Sequence, residues 1–405
     1  MKKILAIALV LAVVAGLLAC GGNTTGGATT PTPASTPSGG GDTNAPSGGG
    51  PTPNPANPSH VGYWDDPVDH FARDPYKVTF YQVYANEAID WQYRALQYLG
   101  KEKMNVEFDF FNANGDNEKF INSFDLYRDR DGLILTHDYA AQKRTLEVLR
   151  DEMKDSFQWL NVMTPFQNDE TQELYGPAVV LDGYLIGQVS TQWCIDNYKT
   201  YWGNDVKTEE IGMIMLNMST INVFRPREQA AKDTWTAAFP NNLWLVGDTS
   251  GQQINAELVY NIITGYVSGH PEITHWFINC AMMLYPAPAA RAVETLGIED
   301  RVIITCCESQ GVTTEWDAGS VGSLVSCVGA SDDLLTAPAL SGIVALMDGR
   351  ATQETLWEDA RQAKFGTKYS LYPIPVTMLT PETYVQYNID VANEIYGDAS
   401  LKPSR

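Results

Sequence analysis

Basic residues are scarce in this 405-residue chain. Lysine and arginine together number 27, whereas aspartate and glutamate number 49, which gives a net charge of −22 at pH 7. Proteins that bind nucleic acid or an anionic membrane surface concentrate positive charge, because those partners are polyanions. The charge balance therefore argues against both, and we predict no nucleic-acid partner.

Motifs for metal ions and for catalysis are also lacking. The five histidines are scattered, and no two cysteines have the Cys-x-x-Cys spacing of a structural zinc site. Gly247 and Gly251 do not form a Gly-x-Gly-x-x-Gly phosphate-binding series, and there is no Gly-x-Ser-x-Gly nucleophile elbow. A calcium loop around Asn112 is excluded, because Phe110 takes its first ligand position. We therefore predict a protein that is not an enzyme and that uses no metal or cofactor.

Cysteine is rare as well. Besides Cys20, the chain has five cysteines: Cys194, Cys280, Cys306, Cys307 and Cys327. Because five is an odd number, they cannot all pair within the chain. One interpretation is a set of buried free thiols, and the other is a single disulfide among the last four, which an extracytoplasmic location would permit.

The first twenty residues have the pattern of a secretory signal peptide. Lys2 and Lys3 precede an apolar stretch at 4–18, which is too short to cross a bilayer comfortably as a permanent helix. No second stretch of about 20 apolar residues follows. Leu17-Leu18-Ala19-Cys20 resembles a bacterial lipobox, which implies that residues 1–19 are removed and that Cys20 becomes lipidated. The alternative is an ordinary signal peptide with an incidental cysteine.

Residues 20–60 form a low-complexity segment. Gly, Thr, Pro, Ser, Ala and Asn dominate it, with almost no charge and no large apolar side chain. Such a composition buries too little surface to offset the entropy of ordering. We predict a disordered tether, which would span roughly 35 Å on average. The segment 60–76 is richer in aromatic residues, and we expect it either to pack along the folded domain that follows or to dock a partner protein.

Beyond residue 76, β-type runs alternate with helical segments. Strands are predicted at 78–83, 106–111, 132–136, 157–162, 210–216, 243–246, 274–278 and 302–305. Helices are predicted at 90–99, 118–128, 140–153, 187–202, 227–238, 255–268 and 289–296. This alternation predicts right-handed βαβ units and parallel sheets, and the length fits two lobes. Ligands bind such sheets at the carboxyl ends of the strands.

Four segments along this part of the chain occur in a recognisable order. They are Asn112-Ala-Asn-Gly-Asp-Asn-Glu, Val179-Val-Leu-Asp-Gly-Tyr, Phe224-Arg-Pro-Arg-Glu-Gln and His270-Pro-Glu-Ile-Thr-His. Together they resemble the type I periplasmic binding proteins, in particular those for arabinose and ribose. The resemblance implies an α/β fold of two doubly wound, Rossmann-like lobes joined by a three-strand hinge. Lobe one would comprise 76–181 with 328–357, and lobe two 182–327 with 358–395.

The resemblance implies an extracytoplasmic solute-binding protein, a monomer held at the cell membrane by lipid on Cys20. It would deliver a sugar or sugar-like molecule to the permease and ATPase subunits of an ABC importer by hinge closure. Two alternatives remain open. One is a ligand-sensing ectodomain of the same fold that acts on a membrane receptor. The other is a lipid-anchored hydrolase, for which the sequence has no recognisable acid, base or nucleophile set.

Four residues after the first predicted strand are candidate ligand contacts in lobe one. The family often places an aromatic residue here to stack on a sugar ring, and Trp91 takes that place in this chain. Packing within the lobe is the alternative role. Tyr84, Asn86 and Glu87 share its loop, and the resemblance implies that at least one of them contacts the ligand.

Five further candidates lie in or next to lobe two. Arg225 or Arg227 matches the family's ligand-clamping arginine, with Arg225 favoured, because a guanidinium forms planar bidentate hydrogen bonds that lysine cannot. A surface ion pair is the alternative. Asn279 and Glu308 follow later strands, where they can bond ligand hydroxyls or, for Asn279, cap a loop. Asp182 lies at the first hinge crossing and organises the hinge or contacts ligand.

Two positions depart from the family pattern. Cys280 replaces the second member of an Asn-Asp pair, and Met163-Thr164-Pro165 replaces a segment that often carries an aspartate. Fewer acceptors fit a less hydroxylated or partly apolar ligand, to which a methionine adapts well. The candidates therefore include a modified sugar, a glycoside or another small metabolite.

Overall fold

The computed structural model describes the chain from residue 63 onward, with short gaps. The described residues are 63–64, 67–83, 87–136, 142–153, 157–168, 171, 173–221, 223–320, 322–360 and 366–403. The predicted signal peptide at 1–19, Cys20 and the predicted tether at 20–60 lie outside them. Tyr84 and Asn86 of the predicted ligand-binding set also lie outside.

Strands and helices alternate along the described residues, as predicted. The strands are β1 Tyr76–Gln82, β2 Val106–Asn112, β3 Gly132–Thr136, β4 Gln158–Met163, β5 Ala178–Val180, β6 Ile211–Asn217, β7 Trp244–Asp248, β8 His275–Cys280, β9 Val302–Cys306, β10 Leu324–Gly329, β11 Leu371–Pro373 and β12 Thr377–Leu379. The α-helices are α1 Glu87–Leu99, α2 Asn117–Asn122, α3 Gln142–Glu147, α4 Gly183–Trp202, α5 Arg225–Ala238, α6 Ala256–Gly269, α7 Pro286–Leu296, α8 Gln310–Asp317, α9 Asp332–Met347 and α10 Tyr384–Tyr396. No α-helix in this part of the chain combines the length and the apolar composition that a membrane span needs.

The strands form two six-stranded sheets. The first has the order β11-β5-β4-β3-β1-β2, and the second has the order β12-β10-β9-β8-β6-β7. Neighbouring strands run parallel, except that β12 is antiparallel to β10. Central strands such as β6 and β9 are buried along their whole length, because helices cover both faces of a parallel sheet. The predicted fold class, with two doubly wound α/β lobes, is confirmed.

The chain passes between the two sheets at three places. The first lies between β5 and α4, at 181–182, and the second follows β10, at 330–331. The third does not lie at 357–358, where the predicted lobe bounds would put it. Strand β11 still pairs with β5 of the first sheet, with Tyr372 opposite Val179. The chain therefore stays in lobe one through β11 and reaches the second sheet only at β12.

Helix α9 fills the centre of lobe one. All its side chains from Asp333 to Leu346 are buried, and Pro338 lies inside it. Together with Val78 and Phe80 of β1, they form one apolar core. The prediction assigns 358–395 to lobe two. The second half of α10 nevertheless packs in the core of lobe one.

The segment before β1 packs along lobe one, in agreement with one of the two roles expected of it. Trp64 Nε1 donates a hydrogen bond to the Ile395 carbonyl oxygen at 2.8 Å. Tyr63 and Tyr372 bring their hydroxyl oxygens to 3.3 Å from each other. Tyr63 and Trp64 therefore contact lobe one, at β11 and α10.

One close approach between helices is directly testable. A Cβ atom on Gly187 of α4 would lie 2.1 Å from the Arg227 carbonyl oxygen of α5. We expect Gly187→Ala to lower the free energy of unfolding by about 1–3 kcal/mol, the usual cost of overpacking, as measured by urea denaturation. Gly265→Ala is the control, because its Cβ would meet nothing within 4 Å. Equal losses in the two variants would contradict the tight contact between α4 and α5.

Candidate functional site

A buried arginine lies at the carboxyl edge of the second sheet. Arg227, in the first turn of α5, is only 2% exposed. Its Nη1 donates to the Ala281 carbonyl oxygen at 2.5 Å and to Glu308 Oε1 at 2.7 Å. Glu308 Oε2 also accepts a hydrogen bond from the Met283 backbone N–H at 2.8 Å. Two of the sequence candidates, Arg227 and Glu308, are thus brought together.

The charge of this arginine is secured by its partner. Burial lowers the pKa of Arg227, but the attraction and hydrogen bond of the Glu308 carboxylate, together with smaller contributions from Cys307 and Cys306, outweigh burial and raise the pKa above its ordinary value. The Nε atom of the same guanidinium is buried and has no hydrogen-bond partner. The pair therefore carries no net charge, yet it retains one N–H group that can donate a further hydrogen bond.

Arg225, the favoured arginine, occupies a different environment. Its side chain is exposed, and its Nε donates to the Ser219 carbonyl oxygen at 2.8 Å. Two positions along a helix are about 200° apart around the axis, so Arg225 and Arg227 face different surroundings. The structure places only Arg227 in the network with Glu308.

Asn279 lies inside β8 and not after it, because the strand continues to Cys280. Its Nδ2 donates to Ser190 Oγ at 2.9 Å and to Thr191 Oγ1 at 3.0 Å, both on α4. Its Oδ1 accepts from Cys307 Sγ at 3.5 Å. The amide is thus engaged on both sides within lobe two, and it fastens α4 to the sheet.

Asp182 begins α4 as its N-cap. Its carboxylate accepts a hydrogen bond from the Leu185 backbone N–H at 3.1 Å, which satisfies one of the unpaired donors in the first helical turn. The bond fixes the start of α4 next to the first crossing, and the hinge-organising role of Asp182 stays a prediction. Its predicted contact with ligand stays a prediction, as do those of Arg225, Asn279 and Glu308.

The ends of β6 and β7 carry polar groups that the sequence analysis did not single out. Asn217, fully buried, donates from Nδ2 to Glu228, while its Oδ1 has no partner. Its neighbour across the strands, Asp248, accepts hydrogen bonds from Ser219 and Ser250. Burial raises the pKa of Asp248, but these hydrogen bonds outweigh it and lower the pKa to about 2. The loops after both strands are therefore held by one ionised carboxylate.

The first sheet carries a matching pair. Gln82 and Thr136 end β1 and β3, lie opposite each other in the register and are fully buried. Gln82 Nε2, Gln82 Oε1 and Thr136 Oγ1 all lack hydrogen-bond partners. The signal for Gln82 was present in the sequence, as a lone amide within an apolar strand. The sequence analysis took it as part of the strand alone.

Comparisons with known proteins bear on this arrangement. A scan against protein-family models and a search of curated proteins each gave no match. Similar solved structures include an ABC transporter solute-binding protein from Bradyrhizobium sp. BTAi1 with bound bis-tris (TM-score 0.57, 12% identity, covering 77% of this chain and 84% of that one). The myo-inositol-binding protein of Caulobacter has a TM-score of 0.56 at 13% identity, covering 76% and 95%. The arabinose transporter component of Shewanella sp. ANA-3 has a TM-score of 0.55 at 15% identity, covering 81% and 99%.

This chain has the type I periplasmic binding protein fold. At these sequence identities the likeness establishes the architecture alone and does not identify a ligand. Both strand-end groups described above lie at the carboxyl edges of parallel sheets, which is where α/β sheets bind their ligands.

Within this fold, the predicted stacking residue Trp91 is covered. It is 5% exposed, and Lys402 Nζ lies 5.0 Å from the centroid of its ring. Glu87 is the first residue of the same helix, α1. The next residue of the helix, Gln92, donates from Nε2 to Asp332 Oδ1 at 3.4 Å. Gln310 Nε2 of lobe two donates to Oδ2 of the same carboxylate at 3.4 Å. Trp91 thus packs beside a polar link between the lobes, and its predicted ligand contact stays a prediction.

The five cysteines of lobe two are buried free thiols, as one of the two interpretations predicts. Burial raises the pKa of each; for Cys307 the nearby Arg227 offsets part of the rise, which leaves the pKa at about 11. Protonated, buried thiols are poor nucleophiles. No cluster of three or more His, Cys, Asp or Glu side chains in the described ranges could hold a metal ion.

The two arginines of α5 form a matched pair for mutagenesis. Arg227→Met leaves Glu308 and the Ala281 carbonyl without their cationic partner, so we expect a loss of about 2–4 kcal/mol in unfolding free energy. This range is reduced from the full cost of a buried pair, because Glu308 is 25% exposed. Arg225→Met should change the stability by less than about 1 kcal/mol. Denaturant titration of both variants tests this, and similar losses would contradict the organising role of Arg227.

Proposed function

We propose that this chain is an extracytoplasmic solute-binding protein that captures a small, uncharged, sugar-like molecule for an ABC importer. The fold supports this role, because solved proteins that share it bind myo-inositol and arabinose. The observation that carries the proposal is a set of buried, unpartnered polar atoms at the strand ends of both sheets and in the first turn of α5. They belong to Gln82, Thr136, Asn217 and Arg227.

Such atoms are costly to the folded state. A buried polar group without a hydrogen bond costs about 1–3 kcal/mol, and folded proteins retain only a few. Unpartnered atoms also occur elsewhere in this chain, for example on Trp235 and Ser370. The five atoms on Gln82, Thr136, Asn217 and Arg227 differ because they lie at the carboxyl edges of the two sheets, where ligands bind. A ligand that enters between the lobes would supply their missing partners.

The charges of these groups favour an uncharged ligand. Gln82, Thr136 and Asn217 are neutral, and Arg227 is already neutralised by Glu308. A charged ligand would be left without a counter-ion at these positions, which is unfavourable in a desolvated site. A primary amide both donates and accepts, and so does a hydroxyl group. The donor and acceptor of Gln82 therefore match a polyol or sugar ring.

Two exposed apolar side chains lie next to the ion pair of Arg227 and Glu308. Met283 and Leu284, in the loop after β8, are 40% and 42% exposed, and the Met283 backbone N–H bonds Glu308. Methionine adapts to irregular apolar groups. This supports a sugar that carries an apolar substituent, in line with the expectation of a partly apolar ligand.

Hinge closure would couple binding to delivery. Each lobe offers only part of the proposed contacts, so ligand bonds both sets only when the lobes approach each other. A ligand drives closure only by the amount that it binds the closed form more tightly. The closed form would then be the one presented to the permease and ATPase subunits.

The proposed location follows from the N-terminal pattern. A lipid on Cys20, followed by the tether at 20–60, would hold a monomeric domain at the outer face of the cell membrane. The packing of Trp64 on lobe one supports attachment through that lobe. Incorporation of labelled palmitate, lost in Cys20→Ala, is the measurement that tests the anchor.

A thermal-shift screen of residues 60–405 against sugars, alkyl glycosides, nucleosides, sugar acids and amino sugars tests the binding role. Ligand that binds the native state raises the melting temperature by mass action, and we expect uncharged compounds to give the largest rise. Gln82→Met should abolish that rise while leaving the protein as stable or more stable, because it removes an unsatisfied buried amide.

Thr79→Val is the matched control for this screen. Thr79 is equally buried on β1, and its Oγ1 is also unpartnered, but it lies three residues before the strand end. It should gain stability and keep the ligand-induced rise. A preference for sugar acids, or full binding by Gln82→Met, would contradict the proposed site. No rise with any compound would contradict the binding role itself.

A further inference from the structure

The C-terminal segment spans both lobes. Here the name C-terminal strap denotes α10 together with the tail that follows it to Lys402. Val391, Ala392, Ile395 and Tyr396 belong to the core of lobe one. Tyr384, at the start of the strap, packs instead against the core of lobe two. One continuous helix thus contacts both lobes, in addition to the three crossing segments and the hydrogen bond from Gln310 to Asp332.

The attachment to lobe one is strong. Asp333, at the start of α9, is fully buried and accepts from Tyr396 Oη at 2.7 Å. Lys402 Nζ forms an ion pair with the same carboxylate at 2.5 Å. Removal of a partner from a buried charge is strongly destabilising. The second half of the strap is therefore fixed to lobe one.

The attachment to lobe two is weaker and more exposed. Tyr384 Oη donates to Asp317 Oδ1 at 2.5 Å, and its ring centroid lies 5.3 Å from that of Trp316. Asp317 is exposed on the last turn of α8. Because this contact lies at the surface, water can replace its hydrogen bond at low cost.

Tyr387 lies at the pivot between these attachments. It packs against the cores of both lobes. Its hydroxyl oxygen accepts a hydrogen bond from the Ser331 backbone N–H at 3.3 Å, and Ser331 belongs to the second crossing between the sheets. Rotation about that crossing would leave Tyr387 nearly in place and would move Tyr384 relative to α8.

We propose that the strap is a reversible clasp between the lobes. It moves with lobe one, and its Tyr384 end releases Trp316 and Asp317 when the lobes change their relative orientation. The clasp thus stabilises the interlobe arrangement of this structure and sets the population of the alternative one. Because it acts within the unliganded chain, it does not depend on the identity or existence of a solute.

The test is the interlobe distance in the full-length mature chain without ligand. Single-molecule energy transfer can be measured between dyes placed by non-cysteine chemistry at Glu118 of lobe one and Lys232 of lobe two, both exposed. Tyr384→Phe removes only the hydrogen bond and should increase the alternative population about two- to ten-fold. Tyr384→Ala also removes the ring contact and should increase it further.

Gln386→Ala is the matched control. Gln386 is exposed on the same helix, and its amide bonds Asp390 within the strap at 2.7 Å, so its loss should leave the distance distribution unchanged. Lys402→Met should lower the melting temperature without shifting that distribution, because Lys402 contacts lobe one. Circular dichroism is the control that checks whether Tyr384→Phe and Tyr384→Ala are folded. A distribution unchanged by both Tyr384 variants, or shifted equally by Gln386→Ala, would overturn the clasp.

Discussion

The ion pair between Arg227 and Glu308 organises the carboxyl edge of the second sheet. Through Ala281 and Met283 it fixes the loop after β8, and through Glu308 it fixes the loop after β9. The absence of a side chain at Gly187 lets α4 approach the backbone of Arg227. A buried guanidinium needs such partners, since an unpaired charge would not be tolerated there. The geometry of the proposed cleft in lobe two therefore depends on this pair.

The carboxyl edge of the first sheet differs, because its buried polar groups are not paired with each other. At its edge the polar groups of Gln82 and Thr136 are buried and left without partners. At the edge of the second sheet most polar groups are thus hydrogen-bonded within the lobe. The edge of the first sheet retains donors and acceptors without partners. A solute that bonds both edges gains most when the lobes are together, which is the thermodynamic basis for capture by closure. The C-terminal strap would act on the same equilibrium from outside the cleft.

Patterns in the sequence were sufficient for the architecture and for much of its detail. The strand predicted at 132–136 coincides with β3, because a short, mostly apolar run between polar turns has few other solutions. Helix α9 was not predicted, since a helix buried on all sides lacks the 3.6-residue periodicity that reveals a surface helix. The third crossing was misplaced because β11 and β12 are only three residues long, too short to carry an alternating pattern.

The site was less predictable than the fold, for reasons of geometry. Arg225 and Arg227 are the same type of residue, two positions apart. Only their positions around the helix decide which one contacts Glu308. The amide of Asn279 is directed by hydroxyls on α4, about 90 residues earlier in the chain. The ring of Trp91 is covered by Lys402 from the far end of the chain. Contacts between such distant positions depend on tertiary packing, which a local pattern does not encode.

A crystal structure of the mature domain with the solute from the screen bound tests the central claim most directly. We expect solute oxygens within hydrogen-bonding distance of the Gln82 amide and of Arg227 Nε, with the solute held between the lobes. A solute bound elsewhere, with these atoms still unpartnered, would contradict it.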